Sequence, residues 1–85
     1  MRLSLSQSDA QNETGSLHLS GGGYDQTLAI ASNCVPTGDH VDVVFKQVPI
    51  HASYTLSYVA SGGGEYTIFQ NTPFQSIQDT SASGN

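Results

Sequence analysis

Hydrophobic residues fall on alternate positions through much of the chain. In LSLS (3–6) and SLHLS (16–20) a leucine occupies every second place, with serine or histidine between. A period of two sorts side chains onto the two faces of a β-strand. Each run therefore predicts a short strand, with Leu3 and Leu5, or Leu17 and Leu19, turned to a core. TLAIAS (27–32) predicts a third strand, with Leu28 and Ile30 on one face and Ala29 and Ala31 on the other. HVDVVFK (40–46) carries the strongest pattern: Val41, Val43 and Phe45 share the inner face, while Asp42 and Val44 share a half-wet outer one. SYTLSYV (53–59) and EYTIF (65–69) flank ASGGG, which predicts an antiparallel hairpin with Tyr54, Leu56 and Tyr58 facing Tyr66 and Ile68.

The segments between these runs read as turns. QSDAQNETG (7–15) is polar, and a hairpin of the first two strands across it is the simplest expectation. Three glycines at 21–23 predict a turn that places Tyr24 in a Gly-flanked loop. NCVPTGD (33–39) predicts another turn, with Pro36 fixing φ and Gly38 permitting a positive one. The segment 47–52 forms a Pro corner, and 73–79 offers one helical turn at most. No segment sustains an apolar spacing of three to four residues. The resulting expectation is an all-β fold, a small antiparallel β-sandwich of about six or seven strands. The sandwich is expected over 1–77. QDTSASGN (78–85) has no large apolar side chain and reads as a disordered tail or linker.

A short echo crosses the hairpin. VFKQVPI (44–50) is matched by IFQNTPF (68–74): an aromatic strand end, two polar residues, then Pro with an apolar neighbour. Equivalence would send Phe45 and Phe69 into the same core. Alternation allows this for Phe45 but sets Phe69 opposite in phase to Tyr66 and Ile68. A β-bulge near the strand end is expected to return Phe69 inward. Without it, Phe69 beside Thr67 would form an exposed contact patch.

Charge and composition narrow the functions. The chain has 85 residues, two basic against seven acidic, and a net charge of −5. Phosphate backbones require clustered Lys and Arg, so nucleic-acid binding is not expected. No apolar run is long enough to insert in a membrane. The first residues alternate instead of forming an apolar core, so no signal peptide is read and synthesis in the cytoplasm is expected. A single Cys excludes an internal disulfide.

Candidate chemistry is sparse. Cys34 with His18, His40 or His51 could make a thiolate–imidazole pair, but no strand-to-helix elbow supports a nucleophile. His40, Asp42, Cys34 and Asp39 are near in sequence without CxxC or HxxxH spacing, so no metal site is assigned. The Gly triplets at 21–23 and 62–64 lack the helix and lysine of a phosphate loop. No catalytic, cofactor or metal residues are therefore predicted. Tyrosine is common at recognition surfaces, and Tyr24, Phe69 and Thr67 are the candidate partner-binding residues.

Phe45, Val48, Pro49, Tyr54, Thr55 and Leu56 together resemble a signature of prealbumin-like β-sandwich modules, the Cna-B-type and carboxypeptidase-regulatory-like domains. There a strand ends in Phe, a Val-Pro or Leu-Pro corner turns the chain, and a Tyr-Thr-Leu strand returns. His51, Ala52 and Ser53 stand where that family usually has a glycine and one residue fewer. GGGEYTIFQNTPF (62–74) resembles segments in small β-rich regions of bacterial proteins associated with type VI secretion spikes and their effectors. These resemblances imply a non-enzymatic module that binds or carries another protein, exported by a dedicated secretion machine. The alternative that charge suggests is a small acidic inhibitor or immunity-like protein that binds a basic enzyme.

Overall fold

The structure, a computed structural model, describes residues 2–6, 14–37 and 40–80. Seven strands form two antiparallel sheets: β1 (Arg2–Ser6), β2 (Ser16–Gly21), β3 (Tyr24–Ala29), β4 (Val35–Thr37), β5 (His40–Val44), β6 (Ser53–Val59) and β7 (Glu65–Pro73). Two short helices, α1 (Ile30–Asn33) and α2 (Phe74–Thr80), complete the described elements. One sheet has the order β1-β5-β4 and the other β3-β2-β6-β7. The chain is thus an all-β antiparallel sandwich.

Alternation does what it predicts in the central strands. Leu3 and Leu5 of β1, Val41 and Val43 of β5, Leu17 and Leu19 of β2, and Tyr54 and Leu56 of β6 are all buried. They meet Ile30, Phe45, Phe74 and Ile77 in one cluster between the sheets. Each sheet supplies one face of that cluster, so removing apolar area from water stabilises both sheets together. The outer face of β5 is wetter, as its pattern requires. Asp42 Oδ1 accepts a 2.6 Å hydrogen bond from Ser4 Oγ across the β1–β5 pair, and Val44 is exposed.

The first two strands do not form a hairpin. β1 pairs with β5, Leu3 opposite Val43 and Leu5 opposite Val41, whereas β2 pairs with β3 and β6. The leucines of β1 and β2 therefore face each other across the core, where both rows are buried at once. Side by side in one sheet they would have covered only one wall of it.

TLAIAS is not a continuous strand. β3 starts at Tyr24 and stops at Ala29, and the chain turns into α1. Ile30 N donates to Gly15 O at 3.1 Å, Cys34 N donates to Ile30 O at 3.0 Å, and Asn33 Nδ2 donates to Ala29 O at 2.8 Å. Small Ala31 puts up little resistance to helical dihedrals, and the Asn33 side chain adds a bond to the carbonyl of the N-cap residue, Ala29. Extended backbone resumes at Cys34, consistent with the restriction Pro36 places on Val35. The expected turn over 33–39 thus contains β4, and residues 38 and 39 lie outside the described ones.

The bulge in β7 is present. Ser57 stands opposite Thr67, Leu56 opposite Phe69, and Tyr54 opposite Thr72, with a register shift at each step. Opposed residues share a face, so the first shift sets Phe69 against buried Leu56, where Ile68 would have stood in unbroken register. Phe69 is half-buried and packs on the core. The second shift falls where Asn71 adopts φ 50°, a left-handed conformation that Asn tolerates. Asn71 N donates to Thr55 Oγ1 at 3.1 Å, which anchors the break.

After β7 the chain forms more than one helical turn. α2 buries Phe74 and Ile77, spaced by three, and runs to Thr80. Those two apolar side chains fall on one helical face. Residues 78–80, expected in the tail, thus belong to the helix; 81–85 lie outside the described residues.

Candidate functional site

Sheet coverage is incomplete at one place. β4 is three residues long, and its pairs with β5 are Thr37 with His40, Pro36 with Val41 and Val35 with Asp42. Beyond Asp42, no described strand pairs with β5 on that flank. On the other flank, β1 continues to Val44 through its pair with Arg2. The reason is local: α1 ends at Asn33, two residues before β4 begins at Val35.

The edge of the second sheet faces this gap. β3 has β2 on one side and no described strand on the other. Tyr24, Gln26 and Leu28 lie opposite Gly21, Leu19 and Leu17, so their side chains fall on the core face of β3. Gln26 is nevertheless exposed and Tyr24 and Leu28 half-buried, because the other sheet does not reach over them. An open groove of about 520 Å³ results, lined by Tyr24, Gln26, Leu28, Asn33, Val44, Lys46 and Gln47. A second groove of about 490 Å³ continues it over Ser32, Val35, Asp42 and Val43, with Asn33, Val44 and Lys46 common to both. Val35 and Val44, at 62% and 46% exposure, put apolar surface along its length.

Two tyrosines hold one end of the groove. The Tyr24 hydroxyl donates to Lys46 O at 3.0 Å, tying β3 to the corner after β5. Its ring meets that of buried Tyr54 edge-on, with centroids 6.2 Å apart and planes at 89°, a favoured aromatic geometry. Tyr54 Oη in turn donates to Pro49 O at 2.5 Å. Gln47 has φ 60° within this corner, a conformation uncommon for residues other than Gly. Both hydroxyls hold carbonyls of the same turn, which fixes where Lys46 leaves the backbone. Burial pushes the Tyr24 phenol up from its ordinary pKa. Burial raises Tyr54 first, and the neighbouring Tyr24 charge raises it further.

Of the residues singled out from sequence, Tyr24 lines the groove, at the first position of a strand and not in a loop. Thr67 and Phe69 are elsewhere. They lie on β7, the opposite edge of the same sheet, so the three do not form one patch. Thr67 is exposed and Phe69 half-buried. Gln26, Asn33, Val44, Lys46 and Gln47 were not anticipated. No pattern in the sequence marked them, because neither α1 nor the three-residue length of β4 was legible there.

The other candidate side chains are dispersed. Cys34 follows α1, half-buried, and burial raises its thiol pKa. His18 Nε2 lies 2.9 Å from Asp25 Oδ1 on the outer face of the β2–β3 pair. His40 begins β5 and His51 is exposed before β6. Among the described residues, no group of three or more His, Cys, Asp or Glu side chains comes together as a metal site. No helix among them is long and apolar enough to cross a membrane.

No family model, curated protein or solved structure matches this chain.

Proposed function

We propose that this chain is a non-enzymatic β-sandwich module that binds or carries another protein. The observation that carries this reading is the groove between the edge of β3 that no described strand pairs and the half-covered flank of β5. Strand edges with free backbone groups are surfaces on which proteins add a strand from a partner. The groove adds exposed Val35 and Val44, the amides Gln26, Asn33 and Gln47, and one cation. Apolar surface with a few placed polar groups suits recognition of a peptide.

The likeness of GGGEYTIFQNTPF to regions of type VI spike-associated proteins supports a narrower reading, an adaptor or carrier in a bacterial secretion machine. The test is affinity capture with the full chain from lysate of its native source, followed by titration of the recovered protein with purified components. Saturable one-to-one binding of a spike or effector protein is the expected result. Turnover of a small substrate with no saturable protein partner would overturn the reading. Binding to one basic enzyme that collapses with salt would replace it with the inhibitor alternative.

A further inference from the structure

Resting on the reading as a protein-binding module, we infer that the flank of β5 beside Val43 and Val44 receives an extended segment of the partner. Its apolar side chains alternate with polar ones, and it carries a carboxylate next to Lys46. The segment takes up the line of β4 where β4 stops.

Backbone geometry supplies the first argument. Successive residues of an antiparallel strand turn their N–H and C=O to opposite flanks. β1 pairs with Val43 and Val44 on one side, while pairing on the other side ends at the Val35–Asp42 pair. One of Val43 and Val44 therefore turns both backbone groups toward the groove. Val44 ends β5, and Lys46 and Gln47 turn, so an added segment pairs with β5 at Val44 and runs on along the groove. The groove runs on from β4 past Val44 to Tyr24, and Asn33 lines both parts of it.

Side-chain chemistry sets the occupant. A strand in that position alternates its side chains between two surroundings. One set points inward to Tyr24 and Leu28, which are half-buried and packed against the core without being covered. The other set points outward beside exposed Val35 and Val44. Apolar side chains suit the first set, and small polar ones that keep contact with water suit the second. The charge is complementary to an acid: among the described residues, Lys46 is the one charged side chain lining the Tyr24 half of the groove, and no carboxylate lines that half. In a chain with net charge −5 and two basic residues, Lys46 offsets part of the repulsion that an acidic segment meets. Asp42 lies toward the β4 end of the groove, so the carboxylate is placed at the Lys46 end and the segment has a direction.

The edge of β7 is the rival location and is a poorer template. It breaks register twice, passes through left-handed Asn71 and ends in Pro73, all features that interrupt strand addition.

The test uses the isotope-labelled full chain and a panel of capped hexapeptides alternating Val with Thr. Members carry Glu at one end, Lys at that end, or Glu with the alternate backbone amides N-methylated. Amide shifts confined to Val44, Lys46, Tyr24 and Asn33 are expected with the Glu peptide. Lys46→Gln should weaken it about 3- to 5-fold, the effect of one exposed charge pair, and N-methylation on the β5-facing edge should abolish it. Absence of shifts across the panel at millimolar peptide overturns the inference. So does binding that the Lys or N-methylated peptide reproduces, or shifts centred on β7. Val44→Lys separates the two levels of the argument. If a captured partner binds this variant undiminished while the fold is retained, the groove is refuted and the binding-module reading stands. If no partner binds the wild-type chain either, the module reading itself fails.

Discussion

Replacing Phe69 by Ala tests the β7 bulge directly. Removing a fully buried Phe costs about 3–5 kcal/mol through lost transfer energy and an unfilled cavity. Phe69 is half-buried, faces Leu56 across the pair and sits on an edge strand open to water. About half of the full cost, roughly 1.5–2.5 kcal/mol, is the expected loss. For a domain of this size that corresponds to a fall in Tm of roughly 6–20 °C. Total stability of about 4–13 kcal/mol would leave the variant folded and measurable. Urea titration should show the same m-value with a lower midpoint. Thr67→Ala, on the same strand but exposed, should stay within about 0.5 kcal/mol of the parent. If Phe69→Ala matched Thr67→Ala, the ring would not be part of the core. β7 would then run in unbroken register with Ile68 opposite Leu56, and the account of the bulge would be wrong.

Other expected outcomes follow from the same packing. Phe45→Ala removes a fully buried ring, and its loss of about 3–5 kcal/mol should bring the chain near to unfolding, read by near-ultraviolet circular dichroism. Tyr54→Phe leaves the ring but deletes the donor to Pro49 O; urea titration should record a loss of about 0.5–1.5 kcal/mol. Gly21→Ala should be more damaging than an ordinary turn substitution. A Cβ there would run into Ser53 O, with φ already at +147°, and thermal melting should register the strain. Burial raises the pKa of Cys34, Tyr24 and Tyr54. Their contribution to stability is therefore full below the unfolded-state thiol and phenol values and lost as pH rises through the folded ones. Melting temperature should fall on the alkaline side, and Cys34→Ser should remove the earliest part of that fall.

Period-two patterning made the core strands legible because each is buried on one face only. Leu3, Leu17 and Val41 face inward on that basis, and all are buried. The phase of Phe69 was legible for a related reason, since it broke alternation and required either exposure or a bulge. Partner choice was not legible. β1 and β2 carry nearly the same Leu-Ser alternation, and nothing local says whether two such strands adjoin or face each other. α1 was hidden for a different reason: Ile30 fits a strand's inner face as well as it fits the one buried position of a single turn. The groove could not be read from any residue within it. It is a consequence of what β4 fails to cover, and Val44 and Lys46 become neighbours of Tyr24 only once the two sheets stack.

The pairing of β1 with β5 bears on how the chain comes to fold. The hairpins β2–β3 and β6–β7 close over short connections, whereas the Ser4–Asp42 bond joins residues 38 apart. Closing so long a loop costs entropy that no local contact offsets in advance. At synthesis rates of about 5–20 residues per second, β1 leaves the ribosome roughly 2–8 s before its sole described strand neighbour. During that interval its Leu3 and Leu5 have no sheet to join. This strand, made well before β5, is thus among the last of the described strands to be placed, and a peptide spanning it, added to a chain that lacks it, should be able to complete the sandwich in trans.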